Sequence, residues 1–245
     1  MYEGIKCLVI IPTYNEIENI GDIISAVLSQ GSHFHILIVD DNSPDGTASL
    51  VLERKADLPD RIHLLQRSGK LGLGTAYIAG FQFGLNHQYD YLFEMDADFS
   101  HDPKDLNRLL DGCLQKNADF AIGSRYVKGG GISNWPKDRL FLSYGASIYV
   151  RIVTGMPIKD PTAGFICYHN KVLRGLDLSK IKFSGYAFQI EMKYAAYLKG
   201  YKWIEVPIIF SDRIKGTSKM STNIVSEAIK GVLGLRLKAF KGYYQ

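Results

Sequence analysis

The sequence predicts an α/β fold with a doubly wound, mostly parallel sheet, and three observations carry that expectation. Short, uninterrupted apolar runs recur along the chain, as in strands buried on both faces of a parallel sheet. Each run leads through a polar turn into apolar residues at helical spacing, the alternation that builds such a sheet. Several runs end on carboxylates, and in open α/β sheets ligands bind beyond the carboxyl ends of the strands.

Cys7-Leu8-Val9-Ile10-Ile11 is the first strand, closed by Pro12, and Ile17, Ile20, Ile23, Ile24, Val27 and Leu28 mark the helix after it. Ile36-Leu37-Ile38-Val39 is the second, ending on Asp40 and Asp41, with Leu50 and Val51 in the next helix. Ile62-His63-Leu64-Leu65 is the third and runs through Gly72 and Gly74 into a helix reaching Leu85. That glycine pair is no dinucleotide fingerprint, because Tyr77 stands where the third glycine belongs. Tyr91 to Asp96 is the fourth strand. Asp102 then suits a helix N-cap, with Pro103 at the first helical position and Leu106, Leu109, Leu110 and Cys113 forming a core stripe.

Phe120 to Gly123 reads as a fifth strand, and Lys128-Gly129-Gly130-Gly131 as a mobile loop. A segment rich in aromatics and cations follows, with a helix from Leu140 to Val153 whose apolar run is interrupted by Arg151. It suits a helix lying on a membrane surface as well as one packed on the sheet. A turn at Asp160 to Phe165 precedes the short strand Ile166-Cys167-Tyr168, and Tyr186 to Lys199 is helical. Trp203 to Phe210 is extended, with Pro207 marking an edge or a bulge.

The tail from Ile224 to Phe240 has an apolar side of Ile224, Ala228, Val232, Leu235 and Ala239, and carries Lys230, Arg236, Lys238 and Lys241. Such a basic amphipathic helix reads equally as a membrane-surface element or a docked terminal helix. Residues 1–220 therefore form one domain, and 221–245 its helical tail.

At 245 residues the chain suffices for one large α/β domain. A net charge of +4 is compatible with phosphorylated ligands or an anionic membrane surface and too small to argue for nucleic acid. Cys7, Cys113 and Cys167 show no C-x-x-C spacing, so a reducing compartment is expected, with neither a disulfide framework nor a zinc site. The first residues lack the apolar core of a signal peptide. Nowhere do 18 apolar residues run together, so no bilayer-spanning helix is expected.

The fourth strand ends on Asp96-Ala97-Asp98. Residues i and i+2 of an extended segment face the same side, so both carboxylates can meet one ligand. A hard divalent cation bridging a diphosphate suits them, because Mg²⁺ is commonly held by one or two carboxylates plus phosphate oxygens. Alone, so short a motif is weak, and the bland alternative is a loop acid beside a capping Asp102.

Seven segments in order resemble the inverting family 2 glycosyltransferases of the GT-A fold, most closely the polyprenyl-phosphate (dolichyl-phosphate) mannose synthases. They are Ile11 to Glu16, Val39 to Gly46, Met95 to Asp98, Gly123 to Tyr126, Asp160 to Phe165, Gly185 to Glu191 and Arg213 to Lys219, spread over almost the whole chain. The resemblance implies a single GT-A domain in which Pro12, Tyr14, Glu16, Val39 and Asp41 line the nucleotide pocket. Asp96, Ala97 and Asp98 would hold ribose, diphosphate and a Mg²⁺ or Mn²⁺ ion, with Asp96 and Asp98 as the metal carboxylates. Arg213 and Lys219 would contact the donor diphosphate, and Arg125, Arg139 and Ser143 would receive the acceptor phosphate. Ser100 stands where some relatives have a metal-side Gln, and Ile166 where many have Arg.

The activity so implied is transfer of mannose from GDP-mannose to a polyprenyl phosphate, with inversion, on the cytoplasmic face of a membrane. Catalysis would rest on Asp96, Asp98, Arg213 and Lys219. A small membrane-anchoring subunit is a further expected partner. Two alternatives stand beside it: a UDP-glucose or other nucleotide-sugar transferase acting on the same acceptor class, and a non-catalytic nucleotide-sugar-binding subunit. The second is disfavoured by the full set of metal and leaving-group residues.

Overall fold

The computed structural model describes residues 2–185, 187–212 and 222–244, with 222–230 as main chain only. Seven strands form the central sheet, namely β1 Cys7–Thr13, β2 Phe34–Asp40, β3 Ile62–Gln66, β4 Tyr91–Glu94, β5 Phe120–Ser124, β7 Ile166–His169 and β8 Trp203–Pro207. Their order is β3-β2-β1-β4-β7-β5-β8, and β6 Gly131–Ser133 pairs with β9 Ile209–Ser211 in a separate two-stranded ribbon. Every neighbouring pair of the main sheet is parallel except those of β7, which runs antiparallel to both β4 and β5. The carboxyl ends of β1 to β5 and β8 thus emerge along one edge, where the turn before β7 also arrives.

The helices are α1 Ile17–Leu28, α2 Thr47–Asp57, α3 Leu73–Asn86, α4 Asp105–Lys116, α5 Lys137–Thr154, α6 Asn170–Gly175, α7 Ala187–Leu198 and α8 Thr222–Phe240. Successive strand residues point to opposite faces, which divides the core in two. Leu8, Ile10, Leu37 and Val39 pack with Tyr77 of α3, Phe188 of α7 and Val232 of α8. Cys7, Val9, Ile36 and Ile38 pack with Ile20 of α1, Val51 of α2 and Leu109 of α4.

Three local expectations are revised. The glycine-rich segment is built into the ribbon: β6 starts at Gly131, and a Cβ on Gly130 would lie 2.5 Å from the carbonyl oxygen of Ser124. The extended 203–210 run breaks at Ile208, where the chain leaves edge strand β8 and enters the ribbon as β9. Helix α4 begins at Asp105, after a tighter turn in which Asp102 Oδ1 accepts from Lys104 N and the Leu106 amide reaches Pro103 O. Asp102 therefore caps that turn.

The terminal helix is docked, and it also presents an apolar side. Val232 and Leu235 are buried, Arg236 Nη1 donates to Thr154 O at the end of α5, and the Tyr244 hydroxyl donates to Glu191 Oε1 of α7 at 2.6 Å. Ile224, Ala228 and Lys230 lie outside the described side chains.

Candidate active site

The first wall of the site is made by the loops after β1 and β2. Asn15 and Asn42 both take left-handed backbone angles, φ 59° each, a conformation asparagine tolerates better than most residues. Asp40 Oδ1 accepts from Thr13 Oγ1 and Ser43 Oγ, and its Oδ2 from Ser43 N. Asp45 accepts from Ile17 N and from Thr47, whose hydroxyl in turn accepts from Glu16 N. Asp45 is held below the usual carboxylate range: burial opposes this, but the Thr47 and Ile17 hydrogen bonds prevail. Asp41 is gripped by Arg67 through Nε at 2.6 Å and Nη2 at 2.7 Å, and Arg67 also holds Thr75 Oγ1 and Gly72 O. Tyr14 stands nearby with the Lys70 ammonium 5.1 Å from its ring centroid.

The acid motif forms the floor. Asp96 keeps its side chain 41% exposed, whereas Asp98 is buried and accepts from Ser100 N at 3.1 Å. Phe99 between them and Ser100 has φ 60°, an uncommon value for an aromatic residue. Behind the motif lies His101, fully buried and stacked on Phe165 at 4.9 Å. Its Nδ1 accepts the Asp96 amide at 3.2 Å, so the ring is the neutral Nε2–H tautomer. Burial pushes His101 down to about 4, against the pull of Asp98. The 3.9 Å approach of its Nδ1 to the Asp96 carboxylate is accordingly not an ion pair.

The far wall is organised by Asp160. Arg125 donates to it through Nε at 2.7 Å, Nη2 at 2.6 Å and its main-chain amide, and reaches Thr162 Oγ1 as well. Burial opposes charge on both partners, yet the pair prevails, holding Asp160 below and Arg125 above their usual ranges. Glu205 of β8 ties the same corner, accepting from Ser124 Oγ and the amides of Lys159 and Asp160. The Arg125 guanidinium lies over Tyr126, whose hydroxyl donates to Ser143 Oγ at 2.8 Å. Arg139 stacks 3.8 Å from the Trp135 ring centroid and approaches Asp212 at 3.3 Å.

The structure thus gathers Pro12, Tyr14, Glu16, Asp41, Asp96, Ala97 and Asp98 at one sheet edge, with Arg125, Arg139 and Ser143 on its far side. Val39 is different: it is an inward strand residue with no exposed surface, so its side chain supports the pocket from the core. The Arg125 fork expected for an acceptor phosphate is occupied by Asp160. Arg213 and Lys219 lie outside the described residues. Sequence reading missed Arg67 and His101; Arg67 directly follows β3, the position at which the other strands place their polar residues.

Two carboxylates at a strand end, one of them well exposed, offer hard oxygen donors that suit Mg²⁺ or Mn²⁺ with phosphate oxygens completing the shell. Among the described residues no cluster of three or more His, Cys, Asp or Glu side chains forms a self-sufficient metal cage.

Fold and family together define a glycosyltransferase. The family model described as glycosyl transferase family 2 matches residues 8–180, and the chain belongs to that family. It is 49% identical over 224 residues to the polyprenol monophosphomannose synthase of Mycolicibacterium smegmatis, covering 91% of this chain and 84% of the relative. It is 45% identical over 227 residues to the undecaprenyl-phosphate mannosyltransferase of Micrococcus luteus, covering 93% and 92%. The fold is also that of glucosyl-3-phosphoglycerate synthase from Mycobacterium tuberculosis, solved with Mn²⁺ and UDP-glucose. That match has a TM-score of 0.64 at 15% identity over 96% of this chain and 79% of the other.

Proposed function

We propose that this glycosyltransferase moves mannose from GDP-mannose to a polyprenyl phosphate, with inversion at the anomeric carbon. The observation that carries the reading is the Asp96–Asp98 floor set between a nucleotide-side wall and a cationic far wall, in a chain close to two mannosyltransferases of lipid phosphates. Asp96 and Asp98 would hold the divalent metal, which when bound supplies Lewis-acid stabilisation of the leaving diphosphate. The Asp41–Arg67 pair stiffens the donor wall, and Arg213 and Lys219 are assigned to the departing diphosphate. Arg139 and Ser143 receive the acceptor phosphate, while Arg125, locked on Asp160, holds Tyr126 and through it Ser143. A phosphate monoester, with its second pKa about 6, is already an anion at neutral pH, so no protein base has to activate it.

The placement we infer is peripheral, on the cytoplasmic face of a membrane. No helix among the described residues is long and apolar enough to cross one. Helices α5 and α8 pack together and leave Phe141 74%, Ile152 76%, Leu237 64% and Phe240 75% exposed, with Lys137, Arg139 and Lys241 on the same helix pair or just past it. Exposed apolar faces rimmed by cations suit the headgroup region of a bilayer. A small anchoring subunit would meet the same face.

The test is transfer of labelled sugar into detergent-solubilised polyprenyl phosphate, with GDP-mannose and UDP-glucose offered in parallel, with Mg²⁺ or chelator. Metal-dependent label from GDP-mannose is expected; label from UDP-glucose alone would replace the donor. In that assay Arg139→Ala should raise the acceptor KM about tenfold, the loss of one charged contact, with donor binding retained.

A further inference from the structure

Directly beneath the acid motif the core is polar. Among the described residues seven buried side-chain atoms lack a hydrogen-bond partner, and five of them belong to Tyr77, Glu94, Tyr168 and Gln189. Glu94 is the last residue of β4, two before Asp96, and both its oxygens are among the five. The Tyr168 hydroxyl and the Gln189 amide are donors beside this carboxylate, and the Tyr77 hydroxyl lies closest to Asp96 with Glu94 next to it, so it links the buried acid to the acid motif. The Gln189 amide favours the charged form of Glu94.

Lys193 of α7 completes the cluster, and it too is wholly buried. Its Nζ donates to Ala163 O at 2.7 Å and Gln189 O at 3.0 Å, and lies 3.5 Å from Gln189 Oε1. Lysine is almost never fully buried unless paired, and an apolar residue there would serve packing better. Burial presses on both charges, raising Glu94 and lowering Lys193, each towards about 8, while their mutual attraction resists. Lys193 thus sits where three parts of the site meet: the strand end carrying Asp96, the 160–165 turn that anchors Arg125, and α7.

We propose that Lys193 is a positioning residue for the acid motif. Through Gln189 it steadies Glu94, and so the end of β4, in the geometry in which Asp96 and Asp98 take a divalent cation with the donor diphosphate. Its bond to Ala163 fixes the facing turn. The inference rests on the metal role given above to Asp96 and Asp98.

The experiment is a Mn²⁺ titration by electron paramagnetic resonance in the presence of GDP, with circular dichroism and thermal unfolding beside it, on three proteins: wild type, Lys193→Met, and Lys193→Met with Glu94→Gln. Lys193→Met should keep its secondary structure and cooperative unfolding yet bind Mn²⁺ about 10–100-fold more weakly, as expected for a supporting contact behind a metal ligand. The added Glu94→Gln removes the carboxylate that Lys193 compensates and should restore affinity to within about threefold of wild type. Lys193→Met with wild-type Mn²⁺ affinity and only a lowered melting temperature would reduce the lysine to a core residue and overturn the proposal. A double variant as weak as the single one would do the same. Should Lys193→Met fail to fold, the double variant decides: folded and binding Mn²⁺ it supports the coupling, and unfolded or weak it overturns it. Wild-type protein that takes no Mn²⁺ with GDP or UDP overturns the metal reading and this inference with it, whereas tight wild-type binding left unaltered in Lys193→Met overturns the inference alone.

Discussion

At the end of β2, Asp40 accepts three hydrogen bonds and Asp41 is held by two arms of Arg67, whereas at the end of β4 Asp96 leaves 41% of its side chain exposed and Asp98 is held by the main chain of Ser100. Both places read the same in sequence, an apolar strand running out into carboxylates. The first pair is tied into the loops of the wall; of the second, Asp96 is open to solvent while Asp98 is as buried as Asp41. On the function proposed above, acids tied up by neighbouring side chains hold the wall, and a strand end that keeps one acid solvent-exposed can present it to a ligand.

The sharpest way to break that distinction is to remove one carboxylate from each end. Asp98→Ala should lower transfer about 10³-fold or more, as expected for loss of a group that stabilises leaving-group charge, while the protein still folds cooperatively. Near-wild-type transfer by the metal-loaded variant would sink the metal assignment.

A pH titration tests the ground beneath the β4 end. His101 is buried and neutral, its folded-state value about 4 against 6.5 for the free side chain. The folded state therefore binds fewer protons, so this contribution is complete above pH 6.5 and is lost as pH falls from 6.5 towards 4. The loss is roughly 3 kcal/mol, at 1.36 kcal/mol per pKa unit. His63 is also lowered to about 4, chiefly by burial, and adds to the slope. The part owed to His101 is the difference between wild type and His101→Phe in urea unfolding at pH 7 and pH 5; identical pH slopes would contradict it.

Asp40→Ala carries the comparison back to β2. It leaves Thr13 Oγ1 and the Ser43 amide without their acceptor in a buried place, and should cost about 2–3 kcal/mol in urea unfolding. Unchanged stability together with lost transfer would place Asp40 among the ligand-binding acids instead.

How far the sequence could be read follows the same division. Strands β1, β2 and β4 and their acids were legible because runs buried on both faces have no polar interruption. The reversed direction of β7 was not, since four residues carry no signal of polarity along the sheet. Nor could it be known which acids were engaged: Arg67 with Asp41 and Arg125 with Asp160 are pairs 26 and 35 residues apart. Glu94 and Lys193 are farther apart still, and each alone resembles a surface charge. The ribbon of β6 and β9 depends on Gly130 packing against the Ser124 carbonyl, a contact that exists only after folding.

The smallest expected effect is the most specific. Arg67 meets Asp41 with two nitrogens of its planar fork and still reaches Thr75 and Gly72, so one side chain spans the loops after β2 and β3. Arg67→Lys keeps the charge and replaces the fork with a single ammonium, which cannot hold both carboxylate oxygens and both neighbours in one geometry. If the β2 end is a wall whose value lies in rigidity, the donor KM should rise by about tenfold or less, the loss of roughly one hydrogen bond, with kcat and acceptor KM little changed. Stability should fall only slightly, because the charge remains compensated. A drop in kcat with donor KM unaltered would mean that Asp41 and Arg67 act on the transition state, and the contrast between the two strand ends would no longer hold.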